Sequence, residues 1–259
     1  MRMRSMAVAL AATAAWIFFL SAPEAAAQAA KIRVLSSNGV RAVMDEVLPK
    51  GERAIGRALS IEFGTTASIK QRIEAGETFD VVIVTFEAMD DLIKAGKIAS
   101  ASRANLASSG IGVGIRRGAP KPDVRTSEAL KRTLTNAKSL TYAADGASRP
   151  PIEKMLERMG IAESMKPKTV LTQGSARGLA DVAAGQGELA MTLISEILPV
   201  DGIDLAGPLP AEFQSYVRFA AGISAKAVNA EAGKALIQFL AGPTVAPVFK
   251  AKGMDPVGR

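Results

Sequence analysis

The sequence predicts an α/β protein built as two doubly wound lobes with a ligand cleft between them. Three observations carry this. Short β-prone runs alternate with runs at helical spacing from Lys31 onward, the order expected of a mostly parallel sheet covered by helices. A glycine-rich strand around Gly112 breaks that alternation once, after which it resumes. Four strand ends also run into corners of small or polar residues that open a helix.

In chain order, "KIRVLSS" (Lys31–Ser37) is the first strand, stopped by Ser36-Ser37-Asn38-Gly39. Val40, Val43, Met44, Val47 and Leu48 follow at helical spacing. "LSIEF" (Leu59–Phe63) is a second strand, and Thr65–Gly76 a helix with glycine as its stop. "FDVVIVT" (Phe79–Thr85) is apolar almost throughout, as a strand covered on both faces should be, and "MDDLIKAGKI" (Met89–Ile98) is helical. "SGIGVGIRRGAP" (Ser109–Pro120) holds glycines at 110, 112 and 114. A dinucleotide fingerprint needs a helix opening after the first glycines, whereas Ile111, Val113 and Ile115 alternate as in a strand. The glycines therefore read as a backbone crossing between lobes or as close packing.

The second series has a helix over Thr126–Ala137 with Thr126 as N-cap, and a strand over Ser139–Asp145. A helix over Pro150–Gly160 starts with proline and ends in glycine. Strand Lys168–Thr172, helix Ser175–Gly185 and strand Glu188–Ser195 follow. Asp201–Phe213 reads as a Gly/Pro-rich turn, Tyr216–Ser224 as a strand and Asn229–Gly242 as the last helix. The expected organisation is a signal peptide over residues 1–29, a first lobe over 30–112 to which 217–259 returns, and a second lobe over 113–216. The crossings at Gly110–Ile115 and Tyr216–Ser224 are the expected hinges.

The signal reading rests on "MRMR", the apolar "MAVALAATAAWIFFLSA" and small-x-small cleavage patterns at Ala25–Ala29. It implies export to the periplasm. Without it the chain keeps 30 basic against 24 acidic residues, net +6, scattered along it, and aromatics make up only 5% of the full chain. A nucleic-acid surface needs a clustered basic stripe, often with stacking rings, so no nucleic-acid partner is expected. The chain has no cysteine and no histidine. This excludes thiolate sites, His-ligated metal and the Ser-His-Asp triad. Enzymes based on Ser-Lys or paired carboxylates stay open, with Lys70, four residues after Thr66, and Asp145 as the residues to watch.

The polar corners are Ser36-Ser37-Asn38-Gly39, Gly64-Thr65-Thr66, Asp145-Gly146-Ala147-Ser148-Arg149 and Gly174-Ser175-Ala176-Arg177-Gly178. In a parallel sheet all lie at the carboxyl ends of strands, where open α/β folds bind ligands. Each helix start leaves N–H groups free and carries about half a positive charge. Each corner alone is explained by ordinary capping. Four of them split between two lobes point to a cleft that holds an anion.

In this order the motifs resemble the molybdate-binding proteins of ABC importers, within the type II periplasmic solute-binding family. The likeness covers nearly the whole chain after the signal. It is carried by "FGTTASIKQRIEAGETFDVVIVT", "GSARGLADVAAGQGELAMTLISE" and "FLAGPTVAPVFKAKGM". The resemblance implies periplasmic binding protein type II architecture, a non-enzymatic binder of a small anion such as molybdate or tungstate, no cofactor, a monomer, and an ABC permease partner in the inner membrane. A signalling receptor is the other partner it leaves open. It also implies ligand contacts from Thr66 and from the backbone of Ala176. Where the family has a serine at the first corner, this chain has Asn38 or Gly39. The family's tyrosine falls at Leu193, which removes a hydrogen bond worth about 1.5–3 kcal/mol to a charged ligand. Arg149 and Arg177 would favour a carboxylate held by forked bonds. The candidate ligand residues are thus Ser36, Ser37, Asn38, Gly39, Thr65, Thr66, Arg149, Ser175, Ala176 and Arg177.

Overall fold

The computed structural model describes residues 31–257, so the expected signal peptide lies outside the described residues. β1 (Ile32–Ser37), β2 (Leu59–Gly64) and β3 (Val81–Thr85) form a parallel set with β1 in the middle. α1 (Arg41–Ile55), α2 (Thr66–Glu74) and α3 (Phe86–Lys94) link and cover them. α1 runs straight through Pro49, well past the apolar run that predicted it. All five residues of β3 are buried, with the α2 and α3 core of Ile69, Ile73, Met89 and Leu92 on one face.

β4 (Ala104–Arg116) begins five residues earlier than its glycines indicate. α4 (Ser127–Asn136), β5 (Leu140–Ala143), α5 (Arg149–Arg158), α6 (Ala162–Met165), β6 (Thr169–Thr172), α7 (Ser175–Ala183) and β7 (Leu189–Leu193) follow. Next come α8 (Ile194–Ile197), β8 (Ile203–Pro208), β9 (Tyr216–Ile223), α9 (Ala230–Leu240), α10 (Ala246–Ala251) and β10 (Asp255–Pro256). β8 corrects the turn expected over Asp201–Phe213. The strand exists because its backbone finds a partner in Gly112–Arg116 of β4.

The strand order is β2-β1-β3-β9-β4-β7-β5-β6, with β8 and β10 also on β4. β5 is parallel to both β6 and β7, repeating the parallel pattern of the first lobe. β9 is antiparallel to both β3 and β4, so the sheet is mixed where the C-terminal segment enters it. β4 serves both lobes. Ala104–Gly110 pairs with β9, and Ile111–Arg116 pairs with β7 and β8. The partner change at Gly110–Ile111 is held by Gln214. Its Oε1 accepts from the Ile111 N–H at 2.8 Å and its Nε2 donates to the Ile111 carbonyl at 3.0 Å. The side chain thus completes the ladder where the neighbouring strand has ended.

The glycines of this crossing are explained by packing. A Cβ on Gly112 would lie 2.8 Å from Leu205 and 2.9 Å from Ile194. The return of the chain is pinned by Asp80, whose carboxylate accepts from the N–H groups of Arg33, Val228 and Asn229. No helix among the described residues is long and apolar enough to cross a membrane.

Candidate functional site

The carboxyl ends of β1, β2, β5 and β7 face one another across a narrow cavity of about 20 Å³. The first lobe contributes Ser37, Asn38, Gly39, Thr65 and Thr66. From the second come Gly146, Ala147, Ser148, Ser175, Thr192 and Glu196, with Ala143 and Leu193 between them. Phe219 of β9 closes the floor.

Local sequence explains each wall. Thr65 caps α2 by accepting the Ser68 N–H at 3.2 Å, which places Thr66 in the first turn with its hydroxyl inside. Ser37 likewise accepts the Gly39 N–H at 3.4 Å. Ser148 stands at the proline-led start of α5, buried and with no capping bond from its hydroxyl. Gly174, with φ 72°, turns the chain into α7 so that Ser175 is buried against the cavity. Two helices of nine residues, α2 and α7, therefore aim their N-terminal N–H groups at one small space, while α5 opens on Pro150 and Pro151, which have no N–H, and its Arg149 N–H is held by the Gly146 carbonyl. This field favours an anion.

Thr66 Oγ1 is the one buried side-chain polar atom without a hydrogen-bond partner among the described residues. Leaving such a group unpaired costs about 1–3 kcal/mol, and native proteins rarely tolerate it without a reason. Its position on the cavity wall makes a bound guest its natural partner.

Glu196 is the one charged residue lining the cavity. Thr192 donates to its Oε2 at 2.5 Å. Burial pushes its carboxyl above the ordinary value, against the opposing pull of the Thr192 and Ser175 hydroxyls and the Leu193 N–H. Sequence reading missed Glu196, Thr192, Ser148 and Phe219. A signal for the carboxyl was available, since Thr192 and Glu196 stand four apart at the end of a strand.

The lobes meet directly beside this space. The Thr65 hydroxyl donates to Asp145 Oδ2 at 2.9 Å, while Asp145 Oδ1 accepts the Gly174 N–H at 3.1 Å. The Ser195 hydroxyl donates to the Gly39 carbonyl at 2.8 Å. Gly39 is needed here for space, because a Cβ would lie 2.4 Å from Phe219 and 3.1 Å from Leu193.

Four candidates lie elsewhere. Ser36 is buried below the cavity, its hydroxyl on the Ser37 carbonyl. The exposed Ala176 is outside the lining. Arg149 is held on its own helix by Glu153 at 2.8 Å and by the Ala144 carbonyl at 2.7 Å. Arg177 points to solvent, paired with Asp181 at 2.9 Å. The two arginines expected to give a forked grip are thus each engaged by an acidic residue or carbonyl nearby, outside the cavity lining. Lys70 bonds Asp91 at 2.7 Å, which raises the lysine pKa and leaves no base beside Thr66.

A larger cavity of about 810 Å³ opens near Lys138 and Glu188, at the amino ends of β5 and β7. There the strand polarity is reversed and no helix start converges, so volume alone is a poor guide. Among the described residues no cluster of acidic side chains is arranged to hold a metal ion.

Comparison with known proteins agrees with this architecture. The chain is 34% identical over 248 residues to a Pseudomonas protein named aconitate isomerase, covering 93% of this chain and 94% of that one. It is 26% identical to the molybdate-binding protein ModA of Azotobacter vinelandii, covering 88% of this chain and 91% of that one. The solved periplasmic molybdate-binding protein of A. vinelandii superposes with a TM-score of 0.75 at 15% identity, covering 88% of this chain and all of that one. Residues 32–255 match the profile of the bacterial extracellular solute-binding proteins, and the chain belongs to that family.

Proposed function

We propose that this protein captures a small organic polycarboxylate, of the class represented by aconitate, in the cleft between its lobes. The observation that carries this reading is the make-up of the cavity: neutral donors on the walls, an apolar floor of Leu193 and Phe219, and a single carboxyl. The donors serve an anion, with Thr66 waiting for a partner. The apolar floor suits a carbon skeleton better than a fully hydrated oxyanion, which needs a donor on every side. The 34% identical relative named aconitate isomerase supports the same class. The carboxylate is held by helix N-termini and hydroxyls, and not by Arg149 and Arg177.

A second reading has its own support. The donors without a facing cation also suit molybdate or tungstate, and the ModA relatives favour it. In that case the protein hands its guest to an ABC permease. Under either reading it works in the periplasm as a monomer. The cavity holds little more than a water as it stands, so entry requires the lobes to part. Hinge motion at Gly110–Ile111 and Gln214–Ser215 provides this.

Calorimetry against cis- and trans-aconitate, citrate, molybdate, tungstate, sulfate and phosphate decides between them. Micromolar or tighter binding of a tricarboxylate, with no response to molybdate, is the expected result. Tight molybdate binding with silent carboxylates overturns it.

A further inference from the structure

The cavity contains one group that a simple anion trap does not need. Glu196 projects a carboxyl among hydroxyls and helix starts, where an ionised side chain repels an anionic guest. The chain has no histidine or cysteine. The other lining side chains are hydroxyl, amide or apolar groups. Glu196 is therefore the only lining side chain with an ordinary acid–base group. Asp145 stands at the mouth with both oxygens already engaged by Thr65 and Gly174.

We propose that Glu196 is a proton-transfer group, and that this cleft shifts the double bond of an unsaturated polycarboxylate. The inference rests on the carboxylate reading above. In the step, the Glu196 carboxylate removes a proton from the methylene that lies between one carboxylate and the double bond. The C–H electron pair forms a new carbon–carbon double bond, and the old double bond's pair becomes available at its far carbon. Glu196 returns the proton there. One C–H bond breaks and one forms, with no oxidant, water or cofactor consumed. The charge that builds on the substrate carboxylate as the proton leaves faces the Thr66 hydroxyl and the starts of α2 and α7. Burial keeps the Glu196 carboxyl a better base than an exposed glutamate. Thr192 fixes its orientation.

The test is proton NMR of cis- and trans-aconitate with the full protein in D₂O, alongside calorimetry. Interconversion of the two isomers, with deuterium entering the methylene, is the expected result. Glu196→Gln should lose at least about 100-fold in turnover, with its affinity for trans-aconitate within about fivefold and its melting temperature retained. Glu196→Asp should keep part of the activity. If the wild type binds aconitate but neither converts nor exchanges it, the proton-transfer proposal is overturned and the capture reading stands. Full activity in Glu196→Gln overturns it as well. If the wild type binds no tricarboxylate at all, the carboxylate reading fails, and this inference with it.

Discussion

Two walls of the same cavity solve the problem of holding an anion in opposite ways. The α2 wall presents Thr66, a neutral hydroxyl left without a partner. The β7–α8 wall presents Glu196, a potential charge wrapped by two hydroxyls and a backbone N–H. Both follow the carboxyl end of a strand, and both are shielded from bulk water. The first wall is under-satisfied and improves when a guest arrives. The second is satisfied already, and negative charge brought near it favours its protonated form. A binder needs only the first wall; the proposed proton transfer belongs to the second.

The largest effect that separates the walls is on affinity. Thr66→Ala should weaken binding of trans-aconitate, the probe of the proposed class, by about 10- to 100-fold, the loss of one hydrogen bond to a charged group. The ligand-free protein should melt no lower than wild type, because the variant removes an unpaired buried hydroxyl. Calorimetry and thermal melting on the same sample read both. Unchanged affinity would show that Thr66 is a packing residue, and the contrast between the walls would vanish. Next in size is Gly39→Ala, which forces a Cβ to within 2.4 Å of Phe219. Overpacking of this kind costs about 1–3 kcal/mol, a fall of several degrees in melting temperature. A stability equal to wild type would mean that Phe219 moves aside freely and does not fix the floor.

How far each wall was legible in the sequence follows from the range of its interactions. The α2 corner is local: Thr65 caps its own helix and hands Thr66 to the cavity, so "FGTT" announces both. The two-lobe order was equally legible, because β3 and the glycine strand carry burial on their faces. The β7–α8 wall depends on partners far apart in the chain. Ser175 and Thr192 meet around Glu196 only after β6 and β7 have paired with β5 and β4. α8 has four residues, too few for periodicity to show. β8 ends in Gly-Pro and reads as a turn until β4 supplies its ladder. The arginines are instructive in their placement. Arg149 has Glu153, and Arg177 has Asp181, four residues on along the helix. That spacing pairs side chains on one helix face, so the sequence itself contained the reason they turn away.

A smaller effect concerns pH. Glu196 has a folded-state pKa above its unfolded value. Between the two values the folded state holds more protons, so stability falls as pH rises through that window, and the cost remains above it. Burial, and no charged neighbour, drives the shift. Glu196→Gln should therefore lose this dependence. Its melting temperature relative to wild type should be higher at pH 8 than at pH 5. An identical difference at both pH values would place the carboxyl in contact with water and remove the distinction between the walls.

The smallest effect is the sharpest control. Arg149→Ala and Arg177→Ala should each leave ligand affinity within about twofold. Arg149 loses an exposed pair to Glu153 and a bond to the Ala144 carbonyl, and Arg177 a pair to Asp181 at the solvent face. Surface pairs of this kind are worth at most about 1 kcal/mol to folding and nothing to a guest they do not touch. The salt dependence of binding sharpens the point. A carboxylate clamped by two guanidinium groups loses affinity when either is removed. One held by helix N-termini and hydroxyls inside a closed cavity is screened weakly by added salt and keeps its affinity in both variants. A tenfold loss in either variant would bring the arginines back to the cleft and transfer the anion's charge partner from the backbone to a side chain.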